Sequence, residues 1–125
     1  MALPADQVVA LDHVQLAIPA GSEDAARAFW IGLLGFVEET KPPNLAARGG
    51  AWFRATSGVV VHVGIDPTFS SATKAHPAFV VRDLDALVTT LVRAGHAVRW
   101  DDELPNVRRL HVNDPFGNRI ELIQQ

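Results

Sequence analysis

In DHVQLAI, residues 12–18, apolar and polar positions alternate: Val14, Leu16 and Ile18 fall on one side, and His13, Gln15 and Ala17 on the other. That period of two predicts a half-buried strand. In SEDAARAFWIGLLG the period lengthens. Phe29, Trp30, Leu33 and Leu34 recur at helical spacing, Ser22 is a candidate N-cap, Glu23 and Asp24 fall in the first turn, and Gly35 supplies a stop. FVEET then predicts a short strand, KPPNLAARGG a breaker-rich loop, and AWFRA and VVVHVGID two more strands joined through TSG. After the connector PTFSSATK the order starts again. HPAFVV is a strand, and DLDALVTTLVRAG is a helix capped by Asp83 and ended by Gly95, with Leu84, Leu87, Val88 and Leu91 as its apolar face. HAVRW, RRLHVN and NRIELIQ are strands, the last two joined by a DPFG turn in which Pro115 and Gly117 supply the turn chemistry. The pattern predicts an α+β fold of two βαβββ modules, about 10–66 and 75–125, in one domain.

Each helix has to cover one face of its sheet, and strand parity shows which. Val59, Val61, Val63 and Ile65 share the helix side, so His62 turns the other way, as do His13 and Gln15 in the first strand. Leu110, Val112, Ile120 and Leu122 play the same part in the second module, which sends Arg109, His111 and Glu121 to the polar face. Trp52 and Arg54 go together. His76 joins the polar side if Pro77, Phe79 and Val81 face inward. Four of the five histidines thus collect with a carboxylate. Singly, each would be a satisfied polar residue or an exposed strand residue; together, imidazole nitrogens with one carboxylate oxygen suit a divalent first-row metal with an open position. Arg109, whose guanidinium offers a bidentate fork, is the candidate to hold an anionic substrate group, or else a cross-strand partner of Asp102 or Glu103.

Composition narrows the classes. At 125 residues, 48% hydrophobic, the chain can bury a core without staples, so a metal would be functional rather than structural. A net charge of −3 and no basic run argue against nucleic acid. With no cysteine, thiolate sites and cysteine nucleophiles are excluded. No apolar stretch reaches membrane-spanning length, and the N-terminal residues lack the basic and apolar regions of a signal peptide, so a cytoplasmic protein is expected.

From LDHVQLAIP through FWIGLLGF, VVVHVG and AHPAFVV to HVNDPFGNRIELIQ, the chain resembles the vicinal oxygen chelate superfamily, with DPFGNRIEL the most specific piece. That superfamily includes glyoxalase I, fosfomycin-resistance transferases, extradiol dioxygenases, methylmalonyl-CoA epimerase and bleomycin-resistance binding proteins. The resemblance implies a curved mixed sheet around a divalent metal (Zn, Ni, Fe, Mn or Co), with His13, His62, His76 and Glu121 at the ligand positions. Glyoxalase I and the epimerase carry Glu or Gln where this chain has His62. A His, His, Glu triad of the dioxygenase kind would be His13, His76 and Glu121. The tyrosine that such proteins often place ten residues before the glutamate is here His111, which could act as acid or base. By resemblance the chain is expected to be a metal-dependent lyase or isomerase of glyoxalase type, in preference to a ring-cleaving dioxygenase, acting on a small metal-chelating oxygenated substrate. Glu121 and His111 are its catalytic candidates, and Arg109, Gln15, Trp52 and Arg54 its substrate-binding candidates. The alternative is a non-catalytic binder of a small molecule or antibiotic. Pairing as a homodimer is expected, with the site formed within one chain or across two.

Overall fold

The computed structural model describes residues 1–125. The chain runs β1 (Val14–Ile18), α1 (Glu23–Arg27), β2 (Val37–Glu39), α2 (Pro43–Ala46), β3 (Ala51–Arg54), β4 (Val60–Ile65), β5 (Ala78–Val81), α3 (Leu84–Arg93), β6 (Val98–Asp101), β7 (Arg109–Asn113) and β8 (Arg119–Gln124). These strands make two four-stranded mixed sheets, β1-β4-β3-β2 and β5-β8-β7-β6. In each, the first and last strands of the module pair in parallel and the rest are antiparallel. The parallel pair lies at one end of each sheet, with β1 or β5 as the edge strand, because the helix carries the chain over one face before the meander returns beside the first strand.

Helix-side parity is realised in both sheets except at Val59, which is 42% exposed and precedes β4. Val61 and Val63 are 0% and 3% exposed, and Leu110, Val112, Ile120 and Leu122 are at most 1% exposed. These residues join one core together with Leu16, Ile18, Leu84 and Leu91. Trp30, fully buried, stands edge-on to Phe36 at 5.4 Å and to Phe79 of β5 at 5.8 Å between ring centres, so the first helical segment reaches the second sheet.

Two local elements differ from the sequence pattern. The predicted first helix is α-helical only to Arg27 and continues as π-helical turns over Ala28–Leu33, with the Leu34 N–H donating to the Phe29 carbonyl at 3.1 Å. Neighbours on an α-helix diverge by about 100°, whereas the wider turn lets Phe29 and Trp30 both face the core, 1% and 0% exposed. Ser22 does not cap this helix: its hydroxyl donates to the Pro19 carbonyl. The loop KPPNLAARGG contains one helical turn, α2, with Pro43 in its first turn, where a missing N–H costs nothing. Asp83, by contrast, caps α3 as expected, accepting from the Ala86 N–H at 3.0 Å.

The DPFG turn does more than reverse the chain. Asp114 Oδ1 accepts from the N–H groups of Phe116 and Asn118, and Oδ2 accepts from Asn118 Nδ2. Asn118, 1% exposed, also donates to the Ala17 carbonyl of β1 and accepts from the Ala72 N–H of the connector. A buried polar pair with every bond made fixes one arrangement of the turn, the connector and the first sheet. Burial pushes the Asp114 carboxyl above its ordinary value, against the pull of those N–H donors.

Candidate functional site

The strand registers make the two modules superimposable residue by residue. Gln15 of β1 lies opposite His62 of β4, and Ala78 of β5 lies opposite Glu121 of β8. His13 and His76 each stand two residues before those partners, so His13 corresponds to His76, and His62 to Glu121. Across the next ladder Trp52 faces His62 as His111 faces Glu121. Trp52 and His111 therefore correspond as well.

In the second sheet the polar face gathers three donors. His76, His111 and Glu121 bring one ligand atom each within 4.8 Å of one another. His76 Nε2 lies 3.0 Å and His111 Nε2 3.4 Å from Glu121 Oε1, and the two imidazoles meet edge to face at 5.2 Å. Glu121 and His111 are each 6% exposed. Arg109 reaches the second carboxylate oxygen, Oε2, at 3.2 Å through Nη1, and its Nη2 reaches Asp101 Oδ2 at 3.2 Å. Arg109 is thus a cross-strand partner, of Asp101 rather than of Asp102 or Glu103, because the register sets Asp101 opposite it. Both ends of its fork are taken, which changes what it offers a substrate anion.

The donor set fits a cation. His76 Nδ1 faces the Lys74 carbonyl at 2.8 Å, an atom that only accepts, so Nδ1 carries the hydrogen. In the neutral ring Nε2 then points a lone pair at the Glu121 carboxylate. Two acceptors 3.0 Å apart need a positive charge between or on them, and a divalent ion or a proton supplies it. Burial would raise Glu121, but the neighbouring His76 and Arg109 outweigh it and hold the carboxyl below its ordinary value.

The first sheet presents a different surface. Trp52 lies flat on His62 at 4.3 Å and 5°, and His13 stacks on the other side of His62 at 4.1 Å and 25°. His13 Nδ1 is 2.9 Å from Asp12 Oδ2. This slab, with Gln15 and Arg54, lines an open cavity of about 1040 Å³ whose walls all come from residues 9–65. Arg54 is paired with Glu39, and Gln15 packs against Gly64, where a Cβ would come within 2.5 Å of its Nε2. His13 and His62 therefore do not join the donors of the second sheet within one chain. The carbonyl of Lys74 and the carboxylate of Asp101 escape a reading by strand parity, since neither residue type nor spacing marks them.

Burial lowers both His62 and His111 below the ordinary imidazole value, helped by the charge of His13 in the first case and of Arg119 in the second. A base whose folded pKa is depressed binds fewer protons folded than unfolded, so stability rises with pH through that window. The contribution of the two rings is fully present above the unfolded value of 6.5 and is lost as pH falls below it. In the presence of chelator the thermal midpoint is expected to fall between pH 7.5 and 5.5, and His62→Gln should flatten part of that slope. A midpoint that does not change across this interval would remove the assignment.

A family model described as a glyoxalase-like domain matches residues 15–123. Among curated proteins no sequence match is found. The crystal structure of a glyoxalase family protein from Bacillus anthracis is similar at 42% identity over 93% of this chain and 94% of that one, with a TM-score of 0.87. A glyoxalase/dioxygenase from Nostoc punctiforme shares the fold at 22% identity, covering 100% and 97%, with a TM-score of 0.80. So does an antibiotic binding protein from Streptomyces sp. CB03234, at 24% identity over 92% and 97%, with a TM-score of 0.67.

Proposed function

This chain belongs to the glyoxalase-like family within the vicinal oxygen chelate superfamily, and from that premise we propose that it is a metal-dependent enzyme acting on a small oxygenated molecule. The reaction is a lyase or isomerase step of the glyoxalase type. The observation that carries this is His76 Nε2 standing 3.0 Å from Glu121 Oε1, with His76 Nδ1 directed at the Lys74 carbonyl. His76 and Glu121 would hold the ion from one chain. His13 and His62, at the corresponding positions of the other module but on a separate face, would complete its shell from a second copy in a homodimer. When bound, such an ion supplies a Lewis acid that stabilises an oxyanion on the substrate.

The other roles fall to residues of the chain itself. Arg109 fixes Glu121 through Oε2, which leaves Oε1 for the donors and keeps the carboxylate ionised. His111, whose charged form burial disfavours and whose Nε2 stands 3.4 Å from Glu121 Oε1, is the group that takes and returns a proton at Nε2. The walls that bury His111 and Glu121 exclude water from that transfer.

A calorimetric titration of chelator-treated protein with Zn²⁺ and Ni²⁺, paired with sedimentation, tests this. One ion per chain at micromolar or tighter affinity, on a dimer, is the expected result; no uptake of either ion would sink the enzyme reading. The open cavity of the first sheet, with its Trp52–His62–His13 slab, favours a second reading, a non-catalytic binder of a flat small molecule. That reading takes over if metal is not bound.

A further inference from the structure

The polar face of the second sheet carries a third arginine besides Arg99 and Arg109. Arg119 shares the parity of Glu121 on β8, two residues away, which on an extended strand is a separation of about 6.6 Å. Its main chain is engaged, the N–H donating to the Ala72 carbonyl at 2.8 Å. Its side chain is not. Nε is buried without a partner, and the acceptors that face it are committed elsewhere: Asp101 and Glu121 to Arg109, and Asn113 Oδ1 to Arg99. Asn113 is also its neighbour across the β7–β8 ladder. An arginine with no carboxylate partner and a partly buried head group is costly to keep unless something else comes to it.

The scaffold itself does not ask for a cation there. In the first module the position corresponding to Arg119, two residues before His62 on β4, is Val60, and the sheet forms equally well. Arg119 therefore belongs to the half that holds the donor cluster and not to the repeated fold. Its charge is felt at both His111 and Asp101, which places the guanidinium within electrostatic reach of the site. On this face Arg99, Arg109 and Arg119 outnumber Asp101 and Glu121, although the whole chain carries −3. A divalent ion would make the excess larger.

We propose that Arg119 is the substrate-anchoring residue, and that the substrate is a small acid whose carboxylate or phosphate group sits in the Arg119 fork while its adjacent oxygens face the His76–Glu121 cluster. The anchor rests on the enzyme reading given above for its second half only, since an unpaired guanidinium binds an oxyanion whether or not a metal is present. The bidentate geometry of guanidinium with carboxylate or phosphate gives orientation as well as attraction. The anionic end, fixed about two residues along the strand, leaves the chelating end at the donors.

Inorganic phosphate is the probe, titrated into chelator-treated protein by calorimetry. Wild type is expected to bind it, Arg119→Gln to bind it about tenfold more weakly or less, Arg119→Lys to fall between, and the exposed Arg108→Gln to match wild type. In the unmodified protein the Nε–H NMR resonance of Arg119 should move as phosphate is added, so the proposal does not depend on a variant folding. Equal phosphate affinity for wild type and Arg119→Gln, no phosphate binding by wild type, or an unmoved Nε–H resonance each overturns it. Zn²⁺ uptake is measured on the same samples and should be the same in Arg119→Gln as in wild type. Phosphate binding through Arg119 in a protein that takes up no metal keeps the anchor and removes the enzyme reading, whereas normal metal uptake with phosphate binding indifferent to Arg119 does the reverse.

Discussion

Glu121→Ala is expected to weaken Zn²⁺ and Ni²⁺ binding by about a hundredfold or more, a loss of about 2.7 kcal/mol. The carboxylate is the one anionic donor in the cluster, with His76 and His111 both within 3.4 Å of Oε1. Removing it takes away a ligand and also leaves the Arg109 charge, now balanced by Asp101 alone, beside two imidazoles. A cation brought to that place would meet a net positive field in a partly buried site, where charges are poorly screened. Glu121→Gln keeps the shape without the charge and should fall between wild type and alanine. Calorimetric titration of the three proteins, with circular dichroism to establish that each is folded, gives the answer. If alanine at 121 leaves the affinity within about threefold of wild type, His76 and Glu121 are not the metal site.

Trp30→Ala should lower unfolding free energy by about 4 kcal/mol, which for a chain of this size corresponds to roughly 15 °C in thermal midpoint. Trp30 is fully buried and touches Phe29, Phe36 and Phe79 edge to face, so its removal opens a cavity between the first helical segment and the second sheet. Trp30→Phe makes the sharper comparison. The indole N–H is buried without a hydrogen-bond partner, so phenylalanine gives up ring volume but no bond, and should cost about 1 kcal/mol. Denaturant unfolding measures both. A cost under about 1 kcal/mol for alanine would mean that the two sheets do not depend on a shared core.

Strand parity carried much of this protein's organisation into view before any coordinates. A period of two leaves each residue only two places to go, and the apolar set has to face the helix, so His62, His111 and Glu121 had one available side. The repeat added the correspondence of His13 with His76, which the registers of β1 with β4 and β5 with β8 reproduce. The first helix was less legible. Helical spacing marks an apolar face, but the choice between α and π turns came from the need to bury two adjacent aromatic residues, and that need arises only when Phe36 and Phe79 are in place. Likewise DPFGN reads as a turn, and nothing local reveals that Asn118 also binds the backbone of Ala17 and Ala72.

The arginines mark the boundary most clearly. Arg109 and Arg119 share residue type and face, twelve and two residues before Glu121 along the chain, and the residue pattern singled out only Arg109 as an anion holder. Register sets Arg109 between Asp101 and Glu121, which take its two Nη groups, while no carboxylate pairs with Arg119; Nε of each is buried without a partner. Periodicity and burial act along the chain, so the two modules, the polar faces and the residue types on them follow from the residue pattern. Which of those residues meet does not. Contacts between strands depend on pairing register and sheet packing, and these sort one polar face into a donor cluster with a free arginine and the other into an aromatic slab over an open cavity.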